Sequence, residues 1–271
     1  MASPGGDGDT GDVHRLLDRR PLAIGHRGAA ALAPENTLQA IAAGVEAGAD
    51  LVEVDVVALA DGTVVLHHAR GPARENGFRP SRPERLRLAE LRSIIPELAT
   101  LDEALAFLRE RSPQTGIHLD VKRPGYESEL AQVIRRHRLS TSVIVSSCST
   151  ASLRRLGRLE PGLTLARTYP CDRLGLVGRS PLRPAAAGGA ALARRLLPLR
   201  VESLLRAARA RVACLHHSVV SPAVVSRCHA QGAAVLAWTV NDGRTLKRVL
   251  AAGVDGVVMD DPRLLRGTLG P

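Results

Sequence analysis

Eight short runs rich in Val, Ile, Leu and Ala recur along this chain, and a stretch of helical character follows most of them. The runs fall at 22–26, 51–56, 116–121, 142–146, 163–167, 211–215, 234–239 and 255–259. Helical periodicity appears at 37–47, 100–110, 126–138, 149–158, 200–209, 221–231 and 242–252. Several of these stretches open on a capping residue: Thr37, Thr100, Ser149, Ser221 and Asn241. Eight strand–helix units joined by right-handed crossovers predict a closed α/β fold, a single (β/α)8 TIM barrel. A doubly wound open sheet needs a Gly-rich first turn, and GHRGAAALAPENT does not supply one. Residues 1–17 read as a flexible leader and 18–271 as the barrel domain. Two irregular insertions, at 69–99 and 170–199, are expected over the barrel mouth, the first preceded by a short extra strand at 63–67.

Composition narrows the function classes. Aromatics make up 2% of the chain, so the core must be aliphatic, as suits buried parallel strands. The net charge of +10 admits an anionic partner, but the arginines are scattered and lack interleaved aromatics. Dedicated nucleic-acid binding is therefore not expected. A basic mouth that attracts phosphates is, together with weak association with an anionic membrane surface. Cys148, Cys171, Cys214 and Cys228 form no CxxC pair and read as neutral thiols, not as a disulfide framework. No apolar leader or membrane span is apparent, and a cytoplasmic location is the expectation.

Barrel enzymes place their chemistry at the C-terminal ends of strands. Polar residues interrupt the apolar runs there: His26 and Arg27, Glu53 and Asp55, Asp120 and Lys122, Trp238 and Asn241, and Asp260. Glu53 and Asp55 are two apart and share a face, as do Asp120 and Lys122. Three carboxylates at one mouth repel unless a divalent cation gathers them. All-oxygen ligation favours Mg2+ or Ca2+ over zinc. The other reading is a buried ion network in which Glu53 and Asp55 pair with Arg27 and Lys122.

The segments GHRG (25–28), PENT (34–37), GADLVEVDV (48–56), DGTVVLHH (61–68), LDVK (119–122), WTVN (238–241) and GVDGVVMDDP (253–262) occur in this order. Together they resemble the glycerophosphodiester phosphodiesterase family from about residue 22 to 262. The resemblance implies that His26 and His68 form an acid–base pair. His68 is chosen over His67 because the family's histidine follows the DG aspartate, here Asp61, by seven positions. It further implies metal ligation by Glu53, Asp55 and Asp120, and phosphate binding by Arg27 and Lys122. Glu35 is implied as a polar contributor and Trp238 as a wall for the glycerol carbons. Lys122 is one of only two lysines in this arginine-rich chain, which fits a need for a compact ammonium. His67, His118, His216 and His217 are expected to be structural.

Three positions depart from the family pattern: Ala69 replaces an Asp, Asp120 replaces a Glu, and Met259 replaces a Ser or Thr before Asp260. The implied activity is metal-dependent hydrolysis of a small-molecule glycerophosphodiester to glycerol 3-phosphate and an alcohol. Two other readings are a lysophospholipase D on the same scaffold and a catalytically weakened phosphate-binding barrel.

Overall fold

The computed structural model describes residues 21–68, 82–171 and 183–269. Among these residues nine strands and nine α-helices occur. The strands are β1 (Leu22–Gly25), β2 (Leu51–Ala58), β3 (Val64–Leu66), β4 (Gly116–Val121), β5 (Val143–Ser147), β6 (Thr164–Tyr169), β7 (Val212–His216), β8 (Ala234–Trp238) and β9 (Gly256–Met259). The α-helices are α1 (Leu38–Glu46), α2 (Leu88–Ile94), α3 (Leu101–Arg111), α4 (Glu127–His137), α5 (Thr150–Leu159), α6 (Arg183–Ala208), α7 (Pro222–His229), α8 (Gly243–Ala251) and α9 (Arg263–Leu269).

Eight strands pair in parallel, and the β1–β2 pairing closes them into a barrel. Among the described strands only β3 runs antiparallel, along the far end of β2. The strands are almost uniformly apolar because both faces are covered. Leu22, Ile24, Leu51, Ile144, Val212, Leu236 and Val258 fill the interior. Ala23, Val52, Val54, Leu119 and Val145 point outward into the layer beneath the helices. On β2 this alternation stacks Leu51, Glu53 and Asp55 up the inside of the barrel, from its floor toward its mouth. Among the described residues, no helix is long and apolar enough to cross a membrane.

Thr37, Thr100, Ser149 and Ser221 cap helices as expected, each accepting a backbone N–H from the first turn. The cap of α8 is Asp242, not Asn241. Asn241 is instead bonded to Asp260, and a short polar side chain can serve either purpose.

Two further expectations need correction. The insertion at 170–199 is not irregular throughout. A helix occupies 183 onward and continues without a break to Ala208, so α6 begins 17 residues earlier than the expected 200–209. Leu197, Val201, Leu205 and Ala208 are buried at helical spacing, and this packing overrides the propensities of Gly188, Gly189 and Pro198. In the other insertion, residues 82–99 form a short 3-10 turn and then α2, whose Leu91 packs with Leu98, Val57, Leu59 and Val65 in a small side core. The leader at 1–17 and Ala69 lie outside the described residues.

The cysteine expectation is overturned for Cys148 and Cys171 and holds for the other two. Cys148, just beyond β5, is disulfide-bonded to Cys171, just beyond β6, with Cα atoms 5.6 Å apart. Cys214 and Cys228 are free and buried. A separation of 23 residues carries no sign of proximity until the barrel brings two neighbouring strand ends together.

Candidate active site

A cavity of about 720 Å3 opens at the C-terminal ends of the strands, with His26, Arg27, Glu53, His68, Asp120, Lys122 and Trp238 in its wall. The register explains why the acids meet. Parallel pairing of β2 with β4 sets Asp55 directly beside Asp120, and Glu53 beside His118. Carboxylate oxygens of Glu53, Asp55 and Asp120 lie within 4.8 Å of one another.

Each acid is held differently. Asp55 is fully buried. Its carboxylate meets Arg27 Nε at 3.1 Å and Lys122 Nζ at 2.7 Å, and accepts from Asn36 Nδ2 at 3.0 Å. Burial opposes its charge, but Lys122 and Arg27 outweigh it and hold the carboxyl well below the usual range. Asp120 accepts from Ser146 Oγ at 2.8 Å and pairs closely with Lys122. Among the described residues, Glu53 accepts only the Arg27 backbone N–H, at 2.9 Å. Its burial, with the Asp55 charge beside it, pushes its pKa up to about 7. The expected ion network therefore exists around Asp55, yet it leaves Glu53 undercompensated. A cluster of oxygens that crowds one carboxylate toward its neutral form fits a hard divalent cation.

The backbone around His26 and Arg27 is built to deliver these contacts. Arg27 adopts a left-handed φ of 52°, which turns its backbone N–H to Glu53 and its guanidinium to Asp55 and Glu35. Its Nη1 donates to Glu35 Oε2 at 2.5 Å. Gly28 follows with φ 92°, and a Cβ there would lie 2.5 Å from the Ala40 backbone, so only glycine fits. Asn36 is also left-handed, at φ 58°. It clamps Asp55 reciprocally, accepting the Asp55 backbone N–H at 2.9 Å.

The two expected histidines differ in environment. His26 Nδ1 is 2.6 Å from Asp260 Oδ1. Asn241 in turn donates to Asp260 Oδ2 at 2.5 Å and accepts its backbone N–H at 2.9 Å. Burial lowers the His26 pKa, but the Asp260 hydrogen bond and the charge of Glu53 carry it above the ordinary imidazole value. His68 has a buried Nδ1 without a hydrogen-bond partner among the described residues. Its burial, offset in part by Asp55 and reinforced by Arg27 and Lys122, lowers its pKa to about 4. His67 faces away, into a crevice with Asn36, Leu66 and Leu98.

Trp238 lies across the cavity, its Nε1 donating to Cys214 O at 3.1 Å and its ring edge-on to His216. His118 also lines the cavity. It is buried, neither ring nitrogen has a hydrogen-bond partner among the described residues, and burial lowers its pKa to about 4. Sequence reading missed the supporting roles of Asn36, Ser146, Asn241 and Asp260. Asn36 and Asn241 fall inside the quoted motifs, so motif position was the signal that could have found them.

Cations, acids and imidazoles sharing one cavity suit a phosphate ester better than a neutral substrate, and on this barrel they define a phosphoric diester hydrolase. The chain belongs to the glycerophosphoryl diester phosphodiesterase family, whose model it matches over residues 26–264. A glycerophosphodiester phosphodiesterase of Caldanaerobacter subterraneus subsp. tengcongensis is 29% identical over 91% of this chain and 96% of its own length. The Arabidopsis thaliana glycerophosphodiester phosphodiesterase GDPD4 is 27% identical over 93% of this chain and 74% of its own. In fold, the chain is similar to an Oleispira antarctica phosphodiesterase solved with the product sn-glycerol-3-phosphate. The TM-score is 0.73 and the identity 21%, covering 94% of this chain and 98% of that one.

Proposed function

We propose that this protein hydrolyses glycerophosphodiesters to glycerol 3-phosphate and a free alcohol, with His26 and His68 as the acid–base pair. The observation that carries this reading is the grouping of Glu53, Asp55 and Asp120 within 4.8 Å, beside two imidazoles whose pKa values are displaced in opposite directions by their surroundings. Glu53, Asp55 and Asp120 would hold a divalent cation, with Mg2+ or Ca2+ preferred by the all-oxygen donors. Such a cation, when bound, supplies charge stabilisation at the non-bridging phosphate oxygens.

Arg27 and Lys122 bind the phosphate as fixed cations, since Asp55 holds both side chains at the cavity wall. His26 has its Nδ1 occupied by Asp260, which leaves Nε2 for the substrate. Its raised pKa suits it to donate a proton to the departing alcohol oxygen. His68 is neutral at pH 7 because its pKa is about 4, so it suits removal of a proton from the attacking hydroxyl. Two groups of one kind whose environments drive their pKa values apart give the division of roles. Glu35 orients Arg27, and Trp238 gives the glycerol carbons an apolar wall.

The test is glycerophosphocholine hydrolysis by His26→Ala and His68→Ala, assayed beside cation-induced thermal stabilisation. Each variant is expected to lose about 10²–10⁴-fold in kcat while keeping the stabilisation. Undiminished turnover in both would remove the acid–base assignment.

A further inference from the structure

The outer face of α6 carries a feature that hydrolysis does not use. Leu192, Leu196 and Leu199 are 59%, 41% and 76% exposed. At 100° per residue they fall within about 60° of arc, on the side of the helix opposite the buried Leu197 and Val201. Arg195 and Arg200 border this stripe on its two sides and are exposed. Neither forms an ion pair among the described residues. The helix sequence holds five arginines and one acid, Glu202, and Glu202 is paired with Arg206. The stripe therefore has cationic borders with no internal counter-charge.

Its position in the fold matters as much as its chemistry. Helices of this barrel run from the mouth back to the floor, and α6 ends at Ala208 beside the start of β7. The barrel helices α1, α3, α4, α5, α7 and α8 have 8–11 residues, whereas α6 has 26. Leu192 and Leu196 lie 16 and 12 residues before Ala208, or roughly 24 and 18 Å along the axis. That carries them beyond the span of the shorter barrel helices, toward the end of the molecule where the strands' C-termini open the cavity.

We infer that the Leu192–Leu196–Leu199 stripe of α6, bordered by Arg195 and Arg200, docks the protein on an anionic lipid bilayer with the barrel mouth beside the membrane. The leucines enter the headgroup–acyl boundary while the arginines meet lipid phosphates, the arrangement of an amphipathic interfacial helix. A neutral protein partner would leave the arginines without counter-charges, and a second copy would set like-charged helices face to face. The inference is independent of the catalytic assignment, because docking is measured without turnover.

The test is co-sedimentation of the full chain with phosphatidylcholine vesicles, with and without phosphatidylglycerol, at low and high salt. Wild type is expected to pellet with the anionic vesicles only and to be released by salt. Combined Leu192→Gln, Leu196→Gln and Leu199→Gln should weaken binding at least tenfold, as should Arg195→Glu with Arg200→Glu. Hydrolysis of soluble glycerophosphocholine should be unchanged in both. Leu199→Gln alone, at the most exposed position, should retain full thermal stability and show an intermediate loss. Equal sedimentation of wild type and both multiple variants would overturn the inference. So would a wild-type dimer that the leucine substitutions convert to a monomer, which would assign the stripe to a second copy of the chain.

Discussion

Around the mouth, β1, β2 and β4 present Arg27, Glu53, Asp55, Asp120 and Lys122, whereas β6, β7 and β8 present Thr168, Cys214 and Trp238. On the first side the groups are held by one another's charge: Asp55 anchors Arg27 and Lys122, and Asn36 anchors Asp55. On the second side the wall is held by packing and by the Cys148–Cys171 bond across the ends of β5 and β6. The contrast teaches that a single barrel can support two kinds of order. One is cooperative, and fails as a unit when a charge is removed. The other is local, and should yield in proportion to the atoms lost.

The sharpest way to break the charged side is Asp55→Ala. It strands Arg27 and Lys122 without a carboxylate. Breaking a buried pair costs about 3–5 kcal/mol, and the partial exposure of Lys122 places this case near 3 kcal/mol. Urea unfolding should show that loss, and turnover should disappear with it. A variant of wild-type stability would mean that the two cations find other partners, and the cooperative picture would fail.

The matching change on the other side is Cys148→Ser. A bridge spanning 23 residues is expected to contribute about 3 kcal/mol, chiefly through the unfolded chain. Among the described residues the charged side shares no hydrogen bond with it, so kcat should fall less than tenfold despite the loss in stability. A collapse of kcat would show that the bond positions the catalytic groups.

The charged side was also the more legible in sequence. Charges inside Val- and Leu-rich runs are conspicuous, so Glu53, Asp55, Asp120 and Lys122 stand out before any coordinates are known. The strands themselves were legible because apolar runs bounded by turns have few other interpretations. What stayed hidden depends on long-range proximity. Cys148 and Cys171 are neighbours only after β5 and β6 pair. Asn241 sits one residue before a true cap and so passes for one, until Asp260 is brought beside it across 19 positions. The early start of α6 was hidden by glycines and a proline whose cost is outweighed by the burial of Leu197, Val201 and Leu205.

A smaller effect sharpens the electrostatic side of the comparison. Glu53 has a folded pKa near 7, above its value in an unfolded chain. Its contribution to stability is therefore fully present below the unfolded pKa and is lost as pH rises through about 7. A bound cation takes the proton's place, so its stabilising effect should grow across the same window. The rise in Tm on adding Mg2+ or Ca2+ should be several degrees larger at pH 8 than at pH 5.5, and Glu53→Gln should flatten that difference. A rise independent of pH in wild type would show that Glu53 does not compete with a proton for the cation.

The smallest expected effect belongs to Trp238→Ala, on the side of the mouth held by packing. The indole donates to the Cys214 carbonyl and meets His216 edge-on, and forms no hydrogen bond to the charged cluster among the described residues. Its removal should therefore leave the protonation states of His26 and His68 as they are, and kcat should change by no more than about threefold. Substrate binding loses an apolar wall, so KM for glycerophosphocholine should rise roughly three- to tenfold, the range of about 1 kcal/mol. Steady-state kinetics across pH separate the two sides cleanly: a wall residue moves KM at every pH and leaves the pH profile in place. A displaced pH profile in this variant would mean that Trp238 acts on the imidazoles as well, and the division of the mouth into a charged half and a packed half would have to be redrawn.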